Sequence, residues 1–540
     1  MKKLSVILLV LLVSLFLIVS CGEDNGNDTD ANQTNSQTNT PDQTGDATQV
    51  GGETETGAPE TKPVIPSDKV ESFKIDGVNI SEFKIFALDS IDEGYVLADH
   101  IENKYLGIKL PIEKDITFPG GENYIILDRQ SYAYQDWSMT VENGNLYIKG
   151  SYRSFPKALE LFTSYLDGSR GADVNITSAN NTEGKIDKAT PLYSTKEDLL
   201  AIYEYAMDSN YTLYGEHWGG GFGMISEFAT AFYSGLEGSN GVGDCPAILD
   251  TDMIGFYLGN FPRSAISQII CECIEFAAKG GIITTHCHWQ NPNDETRNTT
   301  YRGSIGSKEL WTSVLTEGTE FNTKWKKQLD FNAEVYQAFK DAGLPVTFRP
   351  MIEANTGNFW WSYYHEDCML TGDDLRDMWN YIYDYYVNEL GFDHILWTYS
   401  PNAVKGADPA SIDMYYPGDD KCDLVGMDWY IDSTMSRNIG NNYGYQTLLA
   451  HGKPTGLCEW GVFGNLSSPD KGQFSDKFSC RELVEIINTA RSAGHNITFL
   501  ETYMGSFGSA TRMPDPEVLN NSYGIILLDD MPDIIRNAVG

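Results

Sequence analysis

The chain has 540 residues, and 76 Asp or Glu against 38 Lys or Arg give it a formal net charge of −38 at pH 7. Such an excess of carboxylates repels phosphate backbones and argues against nucleic acid as a partner. Aromatic residues make up 12% of the chain, with 31 Tyr and 11 Trp, which suits stacking on sugar faces as well as an aromatic core.

The first residues form a basic and then apolar segment that is typical of export. Two lysines precede an apolar run from Leu4 to Val19, which is marginal in length for a membrane-spanning helix. The sequence IVSC at 18–21 resembles a bacterial lipobox, whose cysteine becomes lipid-modified while the residues before it are removed. We therefore expect residues 1–20 to be a lipoprotein signal peptide and Cys21 to carry the lipid. The alternative is an ordinary signal peptide or a single-span anchor.

Residues 21–66 are rich in Asn, Asp, Thr, Gln and Gly and contain almost nothing to bury. This composition predicts a disordered linker. We expect an exported, lipid-anchored protein at the membrane or surface of a bacterial cell. It would be a monomer and would contact the membrane through its lipid only.

Short strands and two helices are predicted over residues 67–192. Alternating apolar residues predict strands in ENYIILDR and NLYIKGSY, while FPKALELFTSYL has apolar residues at helical spacing. The stretch SFKIDGVNISEFKIFAL predicts a hairpin. The pattern indicates a small α+β domain, in whose sequence we find no acid pair, glycine loop or ligand cluster to which chemistry can be assigned.

Strands and helices alternate from residue 193 to residue 540, which favours a parallel βα architecture. Helical patterns fall at Ser264–Ala278, Lys324–Asp341, Asp373–Leu390 and Arg481–Ala493. The predicted strands are Tyr211–Tyr214, Ala247–Asp250, Gly281–His288, Pro345–Met351, His394–Tyr399, Asp423–Tyr430, Pro454–Trp460 and Ile497–Thr502. A doubly wound sheet would also alternate, but the glycine-rich first turn that normally marks it is missing. The predicted fold class is α/β, a (β/α)8 TIM barrel preceded by the small α+β accessory domain.

Polar and aromatic residues collect where the predicted strands end. In such a barrel the C-terminal strand ends form one rim, and chemistry takes place there. Rings stack on sugar faces while carboxylates and amides bind hydroxyls, so this rim predicts a carbohydrate cleft. The residues at these ends are Glu216, His217, Trp218, Asp250, Asp252, His286, His288, Trp289, Gln290, Asn291, Arg349, Glu353, Trp397, Ser400, Asn402, Asp428, Trp429, Tyr430, Glu459, Trp460, Glu501 and Tyr503.

Two of these carboxylates form the candidate catalytic pair, Glu353 and Glu459. In LPVTFRPMIEANTGNFWW, at 344–361, strand alternation places Arg349, Met351 and Glu353 on one side, which is the lumen of a barrel. Glu459 ends the seventh predicted strand, in KPTGLCEWG. A glycosidase needs one protonated and one ionised carboxyl across the scissile bond. Strand ends four and seven face each other across a barrel mouth, so the ~5–5.5 Å separation needed for retention is within reach.

The motif His286-Cys287-His288 looks like a metal-binding cluster, and a metal is the alternative to a cleft-lining role for its histidines. We expect no metal and no cofactor. Beyond Cys21, cysteines stand at 245, 271, 273, 287, 368, 422, 458 and 480, several of them inside predicted strands or helices. Those are expected to be buried free thiols, and disulfide pairing stays open.

Five motifs in order resemble the retaining (β/α)8 glycosidases of glycoside hydrolase family 26, which includes β-mannanases, lichenases and β-1,3-xylanases. They are HWQNP at 288–292, FRPMIEANTGNFWW at 348–361, LWTYSPN at 396–402, YYPGDDKCDLVGMDWY at 415–430 and KPTGLCEWG at 453–461. The resemblance covers the chain from about residue 200 to its end. The segment 67–192 is similar to accessory α/β domains ahead of the catalytic barrel in other bacterial glycosidases.

The resemblance implies roles for individual residues. Glu353 matches the acid/base of the family and Glu459 its nucleophile. Arg349 and Tyr430 match residues that hold the nucleophile ionised and oriented. The substrate-binding residues that we expect are His288 as a substrate-site histidine, Trp360 as a sugar-stacking ring, Arg349, Trp361, Trp397 and Tyr430.

The sequence departs from the family next to the acid/base. Ile352 stands where a histidine is usual, and Asn358 where a tryptophan commonly precedes the Phe-Trp-Trp run. The usual tryptophan near the end of strand eight is not evident either, and Tyr503 and Phe507 are the candidates to replace it. These positions shape the subsite where the bond breaks, so the choice of glycan stays open.

The expected activity is retaining hydrolysis of a plant-type β-linked polysaccharide, with β-1,4-mannan as the leading substrate. A β-glucanase or lichenase, or a β-xylanase, on the same scaffold is the first alternative. A transglycosylase and a non-catalytic glycan-binding lipoprotein are the others. Endo or exo action cannot be read from the sequence.

Overall fold

The computed structural model describes residues 72–89, 91–105, 107–168, 174–217, 243–253, 262–294, 303–403, 411–432, 436–463, 481–502 and 517–540. All of them belong to one compact unit, Val70–Gly540. The predicted signal peptide, Cys21 and the whole predicted linker lie outside the described residues, as do Trp218, Tyr503 and Phe507.

Eight parallel strands close into a barrel, so the predicted (β/α)8 fold is confirmed. Each strand pairs with the next in sequence, and the eighth pairs with the first through Leu213–Phe499 and its neighbours. A short ninth strand, Ile525–Ile526, extends the sheet beside the first. The barrel strands are β10 (Thr212–His217), β11 (Ile248–Asp252), β12 (Ile282–His286), β13 (Val346–Arg349), β14 (Ile395–Tyr399), β15 (Leu424–Asp432), β16 (Thr455–Phe463) and β17 (Phe499–Thr502), and β18 is Ile525–Ile526.

Helices surround the barrel because one face of each strand is apolar and needs cover. Phe348 of β13, for example, points outward onto Tyr336 and Tyr386 of the helix layer. Its neighbours Thr347 and Arg349 point into the lumen, where Thr347 donates a hydrogen bond to Thr284. The described helices of this part are α3 (Lys196–Asp208), α4 (Arg263–Ala278), α5 (Lys308–Leu315), α6 (Glu320–Ala342), α7 (Gly372–Tyr383), α8 (Tyr443–Leu449), α9 (Arg481–Ser492) and α10 (Met531–Val539).

The small α+β accessory region is present ahead of the barrel. Its main sheet has the order β4-β3-β5-β7-β6-β9, and helices α1 (Glu93–Lys104) and α2 (Phe155–Gly168) share a separate apolar core with it. The predicted hairpin exists as β1 and β2, but the last strand of that stretch, β3, joins the main sheet instead. The strands are β1 (Phe73–Ile75), β2 (Val78–Asn79), β3 (Lys84–Leu88), β4 (Ile112–Asp115), β5 (Tyr124–Asp128), β6 (Asp136–Glu142), β7 (Asn145–Gly150), β8 (Val174–Ile176) and β9 (Thr182–Lys185).

Helix α4 joins the accessory region to the barrel. Glu275 on this helix accepts a hydrogen bond from Arg153 at 2.6 Å and another from the Tyr134 hydroxyl at 3.0 Å. Nearer the start of the same helix, the Ser267 hydroxyl donates a hydrogen bond to the carbonyl of Ser131 and accepts one from the backbone N–H of Tyr152. The accessory region is therefore packed against the barrel's outer helix layer. Within the described ranges, the helices are too short or too polar to cross a membrane.

Candidate active site

The C-terminal ends of the barrel strands carry a buried set of ionisable groups centred on Arg349. This arginine ends β13 and is fully buried, with Nη1 at 3.2 Å from Asp428 of β15. Its Nη2 lies 3.4 Å from Asp250 of β11 and 3.1 Å from Glu459 of β16. A buried guanidinium with three carboxylates around it holds a fixed orientation, and it can stabilise negative charge on its partners.

A turn, and not the strand, positions Glu353. Strand β13 ends at Arg349, four residues earlier, so the expected alternation through Met351 to Glu353 is wrong. Glu353 has a φ of 47° and donates its backbone N–H to the carbonyl of Ser400 at 2.9 Å. Left-handed backbone is unfavourable for a glutamate, and such conformations persist where the surrounding contacts enforce them. The turn bends the chain over the rim of the barrel and points the carboxyl into the cleft.

Glu353 is a buried carboxyl with an amide donor at each oxygen. Nδ2 of Asn402 donates to Oε1 at 2.7 Å, and Nδ2 of Asn358 donates to Oε2 at 2.8 Å. Burial, followed by the nearby negative charge of Glu459, raises the pKa of Glu353 to about 7, against the opposing effect of the two amides. At neutral pH this carboxyl therefore exchanges a proton readily, as a general acid/base must.

Glu459 lies in the opposite electrostatic environment. Arg349 contacts Oε1, and the Tyr430 hydroxyl donates to Oε2 at 2.7 Å. Burial opposes its ionisation, but the charge of Arg349 and the Tyr430 hydrogen bond favour the anion, and the pKa of Glu459 is lowered. This carboxylate stays anionic in a dry site, which is what an attacking nucleophile requires.

The two glutamates are close enough to act on the same bond. One carboxylate oxygen from each of Glu353, Asp428 and Glu459 lies within 4.8 Å of the other two. Retaining glycosidases place their two carboxyls about 5 Å apart, whereas inverting ones need about 6.5–9.5 Å. The geometry thus matches a double displacement.

Asp428 is a third carboxyl in this group, and the sequence assigned it no role beyond its place at a strand end. It accepts hydrogen bonds from Arg349 and, at 2.8 Å, from Ser400. Burial and the charge of Glu459 raise the pKa of Asp428 well above its usual value, which favours its protonated form. A register shift in the β15–β16 pairing between Met427 and Asp428 brings it into line with Glu459. A bulge of this kind has no signal in the local sequence.

Two histidines of β12 and the segment after it face the same cleft, each with a carboxylate partner. Nδ1 of His288 lies 2.8 Å from Asp252, and Nδ1 of His286 contacts Asp250. His288 is the one at the cleft surface, with a side chain 14% exposed. Cys287 points the other way, into the helix layer, where Asn332 contacts its sulfur. The motif is thus split between two faces, and its cysteine cannot join the histidines as a ligand.

Other titratable groups lie deeper in the lumen. His217 donates Nε2–H to the Cys458 carbonyl at 2.7 Å, and burial lowers its pKa to about 4. Burial and the charge of Asp250 raise the pKa of Glu501 well above its usual value. Burial thus favours the neutral form of both groups, so the charged members around Arg349 are chiefly Asp250 and Glu459.

The three tryptophans expected to bind substrate are all enclosed in the structure. Trp360 is inaccessible and lies against Trp311 and Trp325. Trp361 is 1% exposed and stacks on Phe359 at 4.6 Å between ring centroids. Each indole N–H is taken by a backbone carbonyl, of Trp289 and Ile352 respectively. Both rings therefore support the turn that carries Glu353, and neither offers a free face to a sugar.

Trp397 does not line the cleft, and the expectation that it binds substrate needs correction. Its ring points outward from β14 and packs among Phe348, Trp379 and Tyr383, and it is fully buried. Alternation explains the placement, because outward positions of a barrel strand face the helices. Asn402, three residues past the strand, reaches Glu353 instead.

A family model, individual relatives and solved structures are similar to this chain. Residues 193–471 match the family model described as Glycosyl hydrolase family 26. A mannan endo-1,4-beta-mannosidase of Bacillus subtilis is 25% identical over 318 residues, which are 56% of this chain and 79% of that protein. A second such enzyme, from Thermothelomyces thermophilus, is 22% identical over 66% of this chain and 65% of its own length. The solved structure of Bacillus subtilis mannanase BCman superimposes with a TM-score of 0.48 at 21% identity, covering 62% of this chain and 94% of that one.

Proposed function

The chain belongs to glycosyl hydrolase family 26, whose model spans a little more than half of it, and we propose that it is a retaining endo-β-1,4-mannanase. It is a glycoside hydrolase built on a (β/α)8 barrel. The relatives that it matches are mannan endo-1,4-beta-mannosidases, and this supports β-mannan as the substrate.

One observation carries the catalytic assignment. Glu353 and Glu459 lie across one cleft with their oxygens within 4.8 Å, and their surroundings shift their pKa values in opposite directions. In this chemistry the carboxyl with the higher pKa serves as the acid, and the carboxyl with the lower pKa serves as the nucleophile. We infer that Glu353 is the acid/base and Glu459 the nucleophile.

The reaction then runs in two displacements. An oxygen of Glu459 attacks the anomeric carbon as the bond from that carbon to the glycosidic oxygen breaks, and Glu353 gives its proton to the departing oxygen. A glycosyl ester of Glu459 remains. Glu353, now ionised, takes a proton from water, whose oxygen attacks the anomeric carbon and frees Glu459. Two inversions at one carbon leave the sugar with its original configuration.

Arg349 and Tyr430 support the first displacement by holding Glu459. Arg349 contacts Oε1 of that carboxylate and the Tyr430 hydroxyl contacts Oε2, so the carboxylate is held in one orientation. His288, fixed by Asp252, is partly exposed at the cleft surface and is suited to bind a sugar hydroxyl. We propose both roles from these contacts.

The test is release of reducing ends from glucomannan, mixed-linkage β-glucan and β-xylan, with product lengths recorded. Release of manno-oligosaccharides of several lengths supports an endo-mannanase. Activity confined to β-glucan or β-xylan would move the substrate to that polymer while keeping the catalytic pair. Affinity without release from any of them would identify a glycan-binding protein and refute hydrolysis.

We further propose the arrangement of the whole chain. Residues 1–20 act as a lipoprotein signal peptide, and residues 21–66 act as a linker from lipidated Cys21 to the folded part. The accessory domain covers 67–192 and the catalytic domain 193–540. The lipobox-like IVSC and the apolar run before it support export and anchoring. Metabolic labelling with a fatty acid, lost in Cys21→Ser, tests the anchor.

A further inference from the structure

The acid/base carboxyl is gripped by two amides that differ in how firmly they are held. Asn402 exchanges two hydrogen bonds with Asn355: its backbone N–H donates to Oδ1 at 2.8 Å, and its carbonyl accepts from Nδ2 at 2.9 Å. Asn358 is tied to its own turn by one bond, from its backbone N–H to the Thr356 hydroxyl at 3.1 Å. Asn402 is thus a fixed anchor, and Asn358 is a half-buried donor on the turn that carries Glu353 itself.

Asn358 also stands at a position where the family resemblance predicts a tryptophan. A tryptophan there would offer a ring, while asparagine offers a short amide whose N–H reaches Oε2 of Glu353 at 2.8 Å. The exchange therefore puts a polar donor in the place of an apolar face, within bonding distance of the group that transfers the proton.

We propose that Asn358 is a positioning residue for the acid/base: it orients Glu353 from the side opposite Asn402 and stabilises the charge that appears on this carboxyl when its proton leaves. The inference rests on the proposed function, since it assigns Asn358 a task only if Glu353 is the acid/base.

Charge bookkeeping over the reaction gives the physical reason. In the first displacement the O–H bond of Glu353 breaks, the proton goes to the glycosidic oxygen, and Glu353 becomes anionic. A hydrogen bond to an ionised acceptor is stronger than one to a neutral acceptor. The Asn358 N–H therefore binds the transition state better than the ground state of this step, which accelerates it.

The other groups that face Glu353 make a neutral donor valuable. Glu459 and Asp428 lie within 4.8 Å of it on the floor of the cleft. His288 on one side favours the ionised carboxylate, and the buried Tyr415 hydroxyl lies beneath, bonded to the carbonyls of Met351 and Ser400. A cation at position 358 would overstabilise the carboxylate, while an apolar residue would leave its second oxygen without a donor.

Two replacements of similar shape separate the donor from the packing. Asn358→Leu removes the amide, and Asn358→Asp removes the donor and adds a carboxylate. General-acid catalysis is lost as the pH rises through the pKa of Glu353, and the amide lowers that pKa. The alkaline limb of kcat/KM should move up by about 0.5–1 pH unit in Asn358→Leu, as the loss of one hydrogen bond predicts, and further in Asn358→Asp. We expect kcat to fall about tenfold with little change in KM.

The control is Asn488→Leu, an exposed asparagine on α9, which should leave the pH profile in place. Unchanged limbs in both Asn358 variants, with or without a lower rate, would overturn the proposal, because a purely structural role would lower the rate at every pH alike. Glu353→Ala and wild type are measured in parallel. If hydrolysis does not depend on Glu353, the proposed function fails as well; if it does depend on Glu353 and the limbs stay fixed, the Asn358 proposal alone fails.

Discussion

Arg349 lies directly beside Glu459, with Nη2 at 3.1 Å from Oε1, and Arg349 is fully buried while Glu459 is nearly so. Because little water can solvate either group here, the attraction between the guanidinium and the carboxylate is strong. The carboxylate therefore remains charged and keeps a fixed orientation. The nucleophile is therefore preorganised before any substrate arrives, and the reaction does not have to reorient it.

Removal of that carboxylate tests its role most directly. In Glu459→Ala no oxygen remains to form the glycosyl ester, so turnover on mannan should fall by more than about three orders of magnitude. Initial rates of reducing-end release measure the loss. Normal turnover in this variant would refute the assignment of the nucleophile.

Loss of the acid/base should depend on the leaving group. Glu353→Ala cannot protonate the departing oxygen, so hydrolysis of polysaccharide slows greatly, whereas aryl glycosides with acidic phenols need little protonation and suffer less. The alkaline limb near pH 7, which wild type owes to the pKa of Glu353, should disappear from the profile of the variant. Profiles of kcat/KM on both substrate types give the comparison.

Azide should rescue this same variant in part. Small anions enter the space that the carboxyl vacates and attack the glycosyl ester without a general base. The product should be a β-glycosyl azide, with the configuration of the substrate. An α-product would show that the enzyme inverts, contrary to the separation of its carboxyls.

Tyr430→Phe removes one hydrogen bond from Glu459 and should raise its pKa, because the phenol favours the ionised form. The nucleophile must be ionised, and activity is lost as the pH falls through its pKa. The acid limb of the pH profile should therefore move to higher pH. The substitutions at position 358 are instead expected to move the alkaline limb. We expect kcat to fall about tenfold, because a charge-assisted hydrogen bond typically contributes about 1.4 kcal/mol, which corresponds to a factor of ten in rate. An unmoved acid limb would show that Tyr430 does not control ionisation.

Replacement of the buried Arg349 and of its neighbour Asp428 should differ sharply in the effect on the free energy of unfolding. Arg349→Met leaves the charges of Asp250 and Glu459 buried without their cation, so the free energy of unfolding should drop by about 3–5 kcal/mol. Burial favours the neutral form of Asp428, so Asp428→Asn, which introduces a neutral amide of the same shape, should cost less than about 1 kcal/mol. Urea unfolding of both variants measures the contrast, and equal losses would mean that Asp428 is ionised.

Periodicity and strand-end chemistry were enough to predict the barrel and the carboxylate pair. Predicted strands such as His394–Tyr399 and Ile497–Thr502 fall on β14 and β17, because runs buried on both faces are readable from sequence alone. The same reasoning misplaced Trp397, since it gives the position of a strand end and not the face on which an aromatic ring lies.

Details that depend on irregular backbone were out of reach. The turn at Glu353 and the bulge beside Asp428 depart from strand geometry, and both are imposed by contacts between distant parts of the chain. The amide contacts of Asn358 and Asn402 follow from that turn. Burial of Trp360 likewise requires Trp311 and Trp325, which come from other segments.

Because Glu353 has a left-handed backbone, a substitution that inactivates the enzyme at this position can raise the free energy of unfolding. Asparagine enters this region of φ far more readily than glutamate, and it buries a neutral group where glutamate brings an ionisable one. A Glu353→Asn protein should therefore melt above wild type while it loses most of its hydrolysis of polysaccharide.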